Sequence, residues 1–176
     1  MNEHRAAAEL ETERLHLRQF RHEDIDAFAA MAADPEVMRF LGDGTPIPRD
    51  EAWRGMASVV GHWVLRGFGL WAVEERASGL LVGRVGLYYP EGWPGREVGW
   101  TLARPYWGRG YAYEAAHAAL AHAFEHLKWP RAISLIHPEN TRSIAVAERL
   151  GERLEKEIVV RGHPALQYAI AREDWQ

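Results

Sequence analysis

The chain has 176 residues, 47% of them hydrophobic and 26% charged, with a net charge of −4 and no cysteine. These proportions suit one globular domain and argue against disordered and fibrous classes; the charge gives no basic face for nucleic acid or anionic lipid, and without cysteine there are no disulfides, thiol nucleophiles or zinc-thiolate sites. The opening "MNEHRAAAELETERL" has no apolar export segment and no run of about 18 apolar residues follows, so a cytoplasmic protein without membrane contact is expected.

A polar tail over residues 1–9 precedes a single domain over 10–176, since no repeat or Ser/Gly/Pro linker divides the chain. "LHLRQF" alternates like a strand, and "HEDIDAFAAMAAD" continues as a helix with acids in its first turn. "DPEVMRFLGDGTPIPRD" reads as a loop with a short helical piece, and Asp50 to Arg66 as a helix stopped at Gly67. "FGLWAVEE", a turn at "ERASG" and "LLVGRVGLYY" form a hairpin, joined by "REVGWTL" into an antiparallel meander. From Gly110 to Lys128, Ala112, Ala116, Ala119, Leu120, Ala123 and Leu127 make one helical stripe. "RAISLIH" is a strand, Pro138 to Leu150 a helix ending at Gly151, and "EKEIVVRGHPALQYAIA" a hairpin turning at Gly162. The pattern is α+β, with a strand-helix-strand crossover after the meander.

Within that crossover, "YWGRGYAYEA" sets a glycine-rich turn between a strand ending near Leu102 and a helix starting near Gly110. Unpaired amides and the positive end of a helix dipole converge there, which makes an anion site. Gly108 and Gly110 let the backbone approach a bulky ligand. A lone GxG also fits a plain strand-to-helix turn. The dinucleotide fingerprint fails, because Tyr113 stands where GxGxxG needs its third glycine, and no GxxxxGK[ST] loop occurs. "HAFEH", His122 to His126, matches the H-x-x-E-H zinc pattern, but no third ligand is identifiable and no metal is expected.

The region from Trp107 to Ala112 resembles the pyrophosphate-binding motif of the GNAT superfamily of acyl-CoA-dependent N-acyltransferases, specifically its RimJ/RimL-like branch. The family pattern is Gln or Arg, two residues, Gly, one residue, then Gly or Ala; it falls on Trp107, Gly108, Arg109, Gly110, Tyr111 and Ala112, with Trp107 departing at the first position. "HPENTRSIAVAERLG" resembles the family's Asn-x-x-Ser helix, with Asn140 as its cap and Ser143 third after it, although each residue alone fits ordinary capping. "ETERLHLRQFRHEDIDAF" and "REDW" resemble the branch's opening and ending, so the likeness runs from Leu10 to Trp175.

The resemblance implies a mostly antiparallel sheet of six to seven strands, splayed between strands 4 and 5 ("EVGWTLA" and "RAISLIH") and flanked by about four helices. Acetyl-CoA would lie in the splay against the exposed amides near Thr101 and Leu102, with Arg109 adding charge toward its phosphates. It implies an N-acetyltransferase that passes an acetyl group directly to a primary amine, with a protein or peptide N-terminal α-amine preferred. A polyamine or aminoglycoside is the alternative acceptor, and a silent coenzyme-binding module the alternative class.

An amine with lysine-like pKa near 10 must lose a proton before attack, and the departing thiolate must gain one. The family's usual acid, a Tyr seven residues after the Asn, falls on Ala147, so the branch resemblance points to Ser143 instead. Glu97 is the first candidate base, sharing a strand face with Gly99 and Thr101, or else is a solvated edge carboxylate; His137 is the second. Trp71, Trp93, Trp100 and Trp107 are core or walls of the acceptor pocket, which the loop from Leu41 to Pro48 and the hairpin at Gly162 would frame. The sequence leaves monomer and homodimer both open.

Overall fold

The computed structural model describes residues 8–175; residues 1–7 of the expected tail, and Gln176, lie outside the described residues. One eight-stranded sheet runs in the order β1-β2-β3-β4-β5-β6-β8-β7. Its strands are β1 Leu10–Glu11, β2 Leu15–Arg18, β3 Leu70–Glu75, β4 Leu80–Tyr88, β5 Glu97–Leu102, β6 Arg131–Ile136, β7 Arg153–Val160 and β8 His163–Ala171. Among the described residues there are five α-helices: α1 Ile25–Ala32, α2 Pro35–Met38, α3 Arg49–Arg66, α4 Tyr111–Ala121 and α5 Thr141–Arg149.

The counts exceed the six to seven strands and four helices expected for small, local reasons. β1 is only a two-residue edge, pairing Leu10 with Leu17 and Glu11 with His16. α2 is a single turn, opened by Pro35 and capped by Asp34, whose carboxylate accepts from Glu36 N–H at 2.9 Å. The helix expected over Gly110 to Lys128 keeps α geometry only to Ala121; His122–His126 widens into a π turn, with Leu127 N–H bonded to His122 O at 3.1 Å.

Strand alternation builds a core on each face. Trp71 and Val73 point to the α4 side, where Leu15, Leu17, Val85, Leu87, Val98 and Ala119 are fully buried. Leu70 and Ala72 point to the other side, against Phe28, Met56 and Val59 from α1 and α3. On this second face the register sets Arg84, Gly86 and Tyr88 of β4 opposite Thr101, Gly99 and Glu97 of β5. Polar groups and glycines thus replace large apolar residues, and the core gives way to a cavity.

Every strand pair is antiparallel except β5 with β6, which is parallel and held at one register pair, Glu97 with Ile133. Beyond it the strands part, at the place where the splay was expected.

A buried ion cluster ties β2 to the start of α1. Arg18, 4% exposed, donates to both carboxylate oxygens of Asp24 at 2.8 and 2.9 Å and to Glu74 at 2.8 Å. Asp24→Ala removes the main partner of a buried guanidinium while leaving Glu74, so we expect a loss of about 3 kcal/mol in urea denaturation, at the low end for a broken buried pair.

Candidate active site

In an antiparallel ladder alternate residues turn both N–H and C=O to the same neighbour. Ala103 N–H bonds Val82 O at 2.9 Å, so the odd-numbered residues of β5 give their amides to β4. Val98, Trp100 and Leu102 turn theirs to the gap. Two of these carbonyls are taken by side chains: Ser134 Oγ donates to Val98 O at 2.8 Å, and Trp107 Nε1 to Leu102 O at 2.8 Å. The N–H groups of Trp100 and Leu102 have no partner among the described residues. Thr101, expected beside Leu102 on this edge, directs its backbone to β4 and lines the cavity.

At the far end of β5 the chain passes through Gly108 (φ +75°) and Gly110 (φ +81°) into α4. Side chains are strained at these left-handed angles, and a Cβ at Gly108 would point into open space. No side chain caps α4, so its first amides stay free for an anion. One obstacle to that use, the acidic Glu114 in the first turn, is turned away: its carboxylate accepts from Thr12 at 2.6 Å and pairs with Arg14 at 2.6 Å. Arg14 also donates to Arg109 O at 2.9 Å, fixing the turn from behind. The Arg109 side chain lies 3.6 Å from Glu75, which also accepts from the Tyr111 hydroxyl at 2.6 Å. Ala112 follows in the first turn, and Arg142 of α5 lies over the Trp107 ring at 4.8 Å.

A cavity of about 490 Å³ opens on the sheet face opposite α4, where Glu97, Thr101 and His137 line it, and reaches through the gap to Trp100, Asn140 and Ser143. Phe40 to Gly42 and the β7–β8 hairpin wall it on either side. Glu97 Oε2 accepts from Trp93 Nε1–H at 2.6 Å. Desolvation pushes the Glu97 carboxyl up to about 7, with the Trp93 bond opposing. His137 stacks on Phe40 with centroids 5.0 Å apart, and its Nδ1 accepts from Glu139 N–H at 3.2 Å. In the neutral ring the proton is then on Nε2, so the free nitrogen is a donor.

Asn140 caps α5 by accepting from Ser143 N–H at 3.2 Å. The Ser143 hydroxyl accepts from Trp100 Nε1–H at 3.2 Å, which leaves its own hydrogen free to be given away. The cradle, the gap-facing amides, Glu97 and Ser143 therefore lie along β5 and its two borders. His122 and His126 lie on the π turn with ring centroids 5.2 Å apart; among the described residues no group of three or more His, Cys, Asp or Glu could hold a metal.

Three polar residues here escape sequence reasoning. Arg84 lines the cavity; its signal is a charge amid the apolar and glycine residues of "LLVGRVGLYY". Ser134 and Glu152 are buried beside the gap, 2% exposed each, and Glu152 looks in sequence like any of its neighbouring acids. Ser134 has one hydroxyl hydrogen, which goes to Val98 O, so its 3.0 Å contact with Glu152 Oε1 needs a proton from the carboxyl. Burial, reinforced by Glu97, pushes that carboxyl up to about 8.

Residues 14–153 match the acetyltransferase (GNAT) domain family. The Bacillus subtilis protein YkkB is 31% identical over 161 residues, spanning 87% of this chain and 90% of that one. A crystal structure of an acetyltransferase from Agrobacterium tumefaciens superposes with a TM-score of 0.83 at 32% identity, covering 97% of this chain and 98% of its own. RimL, a ribosomal L7/L12 α-N-protein acetyltransferase solved with coenzyme A, shares the fold at a TM-score of 0.78 and 17% identity, covering 93% and 98%. The chain belongs to the GNAT acetyltransferase family and is an N-acetyltransferase.

Two outcomes follow from this geometry. Gly110→Glu places bulk and negative charge at the uncapped α4 terminus, where the added Cβ would lie 3.4 Å from Arg14; calorimetry with coenzyme A should detect no binding. Glu152 holds its proton more tightly folded than unfolded, so its contribution is full below its ordinary 4.5 and is lost as pH rises through about 8. Thermal melts at about pH 6 and about pH 9 should show Glu152→Gln losing less stability than wild type over this interval.

Proposed function

We propose that this GNAT acetyltransferase moves the acetyl group of acetyl-CoA to the α-amine of a protein or peptide N-terminus. The observation that carries the reading is the free edge of β5, with an uncapped, glycine-led helix at one end and a desolvated carboxylate at the other. The RimJ/RimL-like assignment is supported by the matched motifs and by the fold shared with RimL.

Acetyl-CoA supplies an activated thioester, and the chain's residues do the rest. Gly108, Gly110 and the first amides of α4 hold the diphosphate, with Tyr111 and Ala112 opening the helix and Trp107 anchoring the turn to β5. The N–H groups of Trp100 and Leu102 bond the coenzyme arm and receive negative charge on the thioester oxygen. Glu97, with Oε2 on Trp93, takes a proton from the acceptor ammonium and later releases it to solvent. Ser143 gives its hydroxyl hydrogen to the departing sulfur and is reprotonated, through water, by the second proton that the acetylated nitrogen sheds. The tautomer of His137 makes it a wall and hydrogen-bond donor rather than the base.

Thiol release from acetyl-CoA, measured with N-terminal peptides and with polyamines, tests the reading. Turnover on peptides supports it; turnover on polyamines alone moves the enzyme to small amines; coenzyme binding without release on any amine makes it a silent module. In wild type, kcat/KM should rise with pH through about 7. Glu97→Gln should remove that rise and cost roughly 10²–10⁴-fold in rate. Ser143→Ala should lower kcat more than coenzyme affinity.

A further inference from the structure

Arg84 is a charged cavity residue that this mechanism leaves without a task. It sits in the middle of β4, opposite Ala72 on β3 and Thr101 on β5. The guanidinium makes no hydrogen bond or ion pair among the described residues, lies 5.7 Å from the Phe28 ring and opens onto the cavity. That is unusual for a charge taken out of bulk water, which is normally paired. Elsewhere the chain obeys the rule: the buried Arg18 meets Asp24 and Glu74.

The charged and titratable groups facing Arg84 are few. Tyr88 lies further along β4 and Glu97 across on β5, and both favour its charge against the cost of desolvation. Glu97 does not neutralise it, because its carboxylate is bonded to Trp93 and is pushed up rather than down. A cation and a base therefore share one sheet face and point into one cavity without meeting. Between them lies Gly99, whose absent Cβ would sit 3.6 Å from Glu97 Oε1, so no side chain rises between the two ends. Thr101, opposite Arg84, is four residues from Glu97, roughly 13 Å along the strand. Two long side chains leaning inward reduce that span to the size of a small amino acid.

We propose that Arg84 receives a carboxylate on the acceptor, so that the acceptor is an amine bearing a nearby anionic group. The inference rests on the acetyl-transfer reading above for the place of the amine at Glu97. The coenzyme phosphates do not satisfy Arg84, because their cradle is at α4, which packs on the opposite face of the sheet. A planar guanidinium matches a carboxylate through two parallel hydrogen bonds and fixes the amine's direction as well as its affinity. The anion has two sources: the α-carboxylate of a free amino acid, or the side chain of an acidic first residue in a peptide. A site built around such a bond rejects the analogue that lacks it, because the guanidinium is then left partly desolvated and unpaired.

Calorimetry on the coenzyme A-loaded protein tests this with two matched pairs: alanine against alaninamide, and Asp-Ala-Ala-amide against Asn-Ala-Ala-amide. We expect the carboxylate member of one pair to bind roughly tenfold or more tighter, and the pair that discriminates identifies the source. In Arg84→Gln the preference should shrink to within about twofold. Arg84→Met, which removes an unpaired charge, should melt no lower than wild type in the absence of acceptor. Equal binding within both pairs in wild type, a preference that persists in Arg84→Gln, or a large drop in the Arg84→Met melting temperature would each overturn the assignment. Failure of the acetyl-transfer reading is separately visible as no thiol release from acetyl-CoA while the binding preference stands.

Discussion

The single register pair between β5 and β6 is the constraint on which the rest of the site depends. Parallel neighbours ordinarily share an evenly spaced ladder, yet here Ile133 N–H on Arg96 O opens the pairing and little follows it. The separation is maintained by side chains rather than by strain. Ser134 takes the carbonyl of Val98, Trp107 takes that of Leu102, and the Glu152 carboxyl stands behind Ser134. Ser134 and Trp107 each remove an acceptor that a neighbouring strand would otherwise use, so of the gap-facing carbonyls only that of Trp100 is left, beside the N–H groups of Trp100 and Leu102. Such an edge is asymmetric: it invites a ligand rich in acceptors and offers little to another strand.

Three carboxylates near this edge are handled in three ways, each matched to its place. Glu114, in the first turn of α4, would repel a phosphate, and it is neutralised and turned aside by Thr12 and Arg14. Glu97 keeps one oxygen on Trp93 and is desolvated until it titrates near neutrality, which suits a base. Glu152 is buried more deeply beside the gap and is held as a neutral acid at neutral pH. The ordering follows local dielectric: the more solvent is excluded without a cation to compensate, the higher the carboxyl is driven.

Much of the fold was legible because its signals are local. Apolar alternation gave the meander, the alanine stripe gave α4, and glycines marked real stops: Gly67 is left-handed after α3, and Arg161 with Gly162 turns the last hairpin. The glycine turn and the Asn140 cap were readable for the same reason, since each acts on amides within three residues. The features that sequence missed depend on register. Nothing in "LLVGRVGLYY" says that Arg84 will stand across from Thr101 and share a cavity with Glu97, and nothing distinguishes Glu152 from Glu148 or Glu155 until β6 brings Ser134 beside it. The π turn over His122–His126 was equally invisible, because its apolar stripe is compatible with α geometry.

The missing tyrosine at Ala147 has a packing explanation that bears on the acid. Ala147 is fully buried on α5, in contact with the cluster of Ile136 and Tyr168, and its carbonyl accepts Glu152 N–H at 3.0 Å. A phenol there would have to displace Tyr168 or lift the helix from β6, and overpacking of that kind typically costs about 1–3 kcal/mol. One turn earlier on the same helix face, Ser143 points into the cavity instead of the core, held by the Asn140 cap below and the Trp100 indole beside it. Because Trp100 belongs to β5 and Ser143 to α5, this one bond spans the mouth of the gap. Position 143 thus meets the gap where position 147 meets the core, which is the packing difference behind the proposal of Ser143 as proton donor.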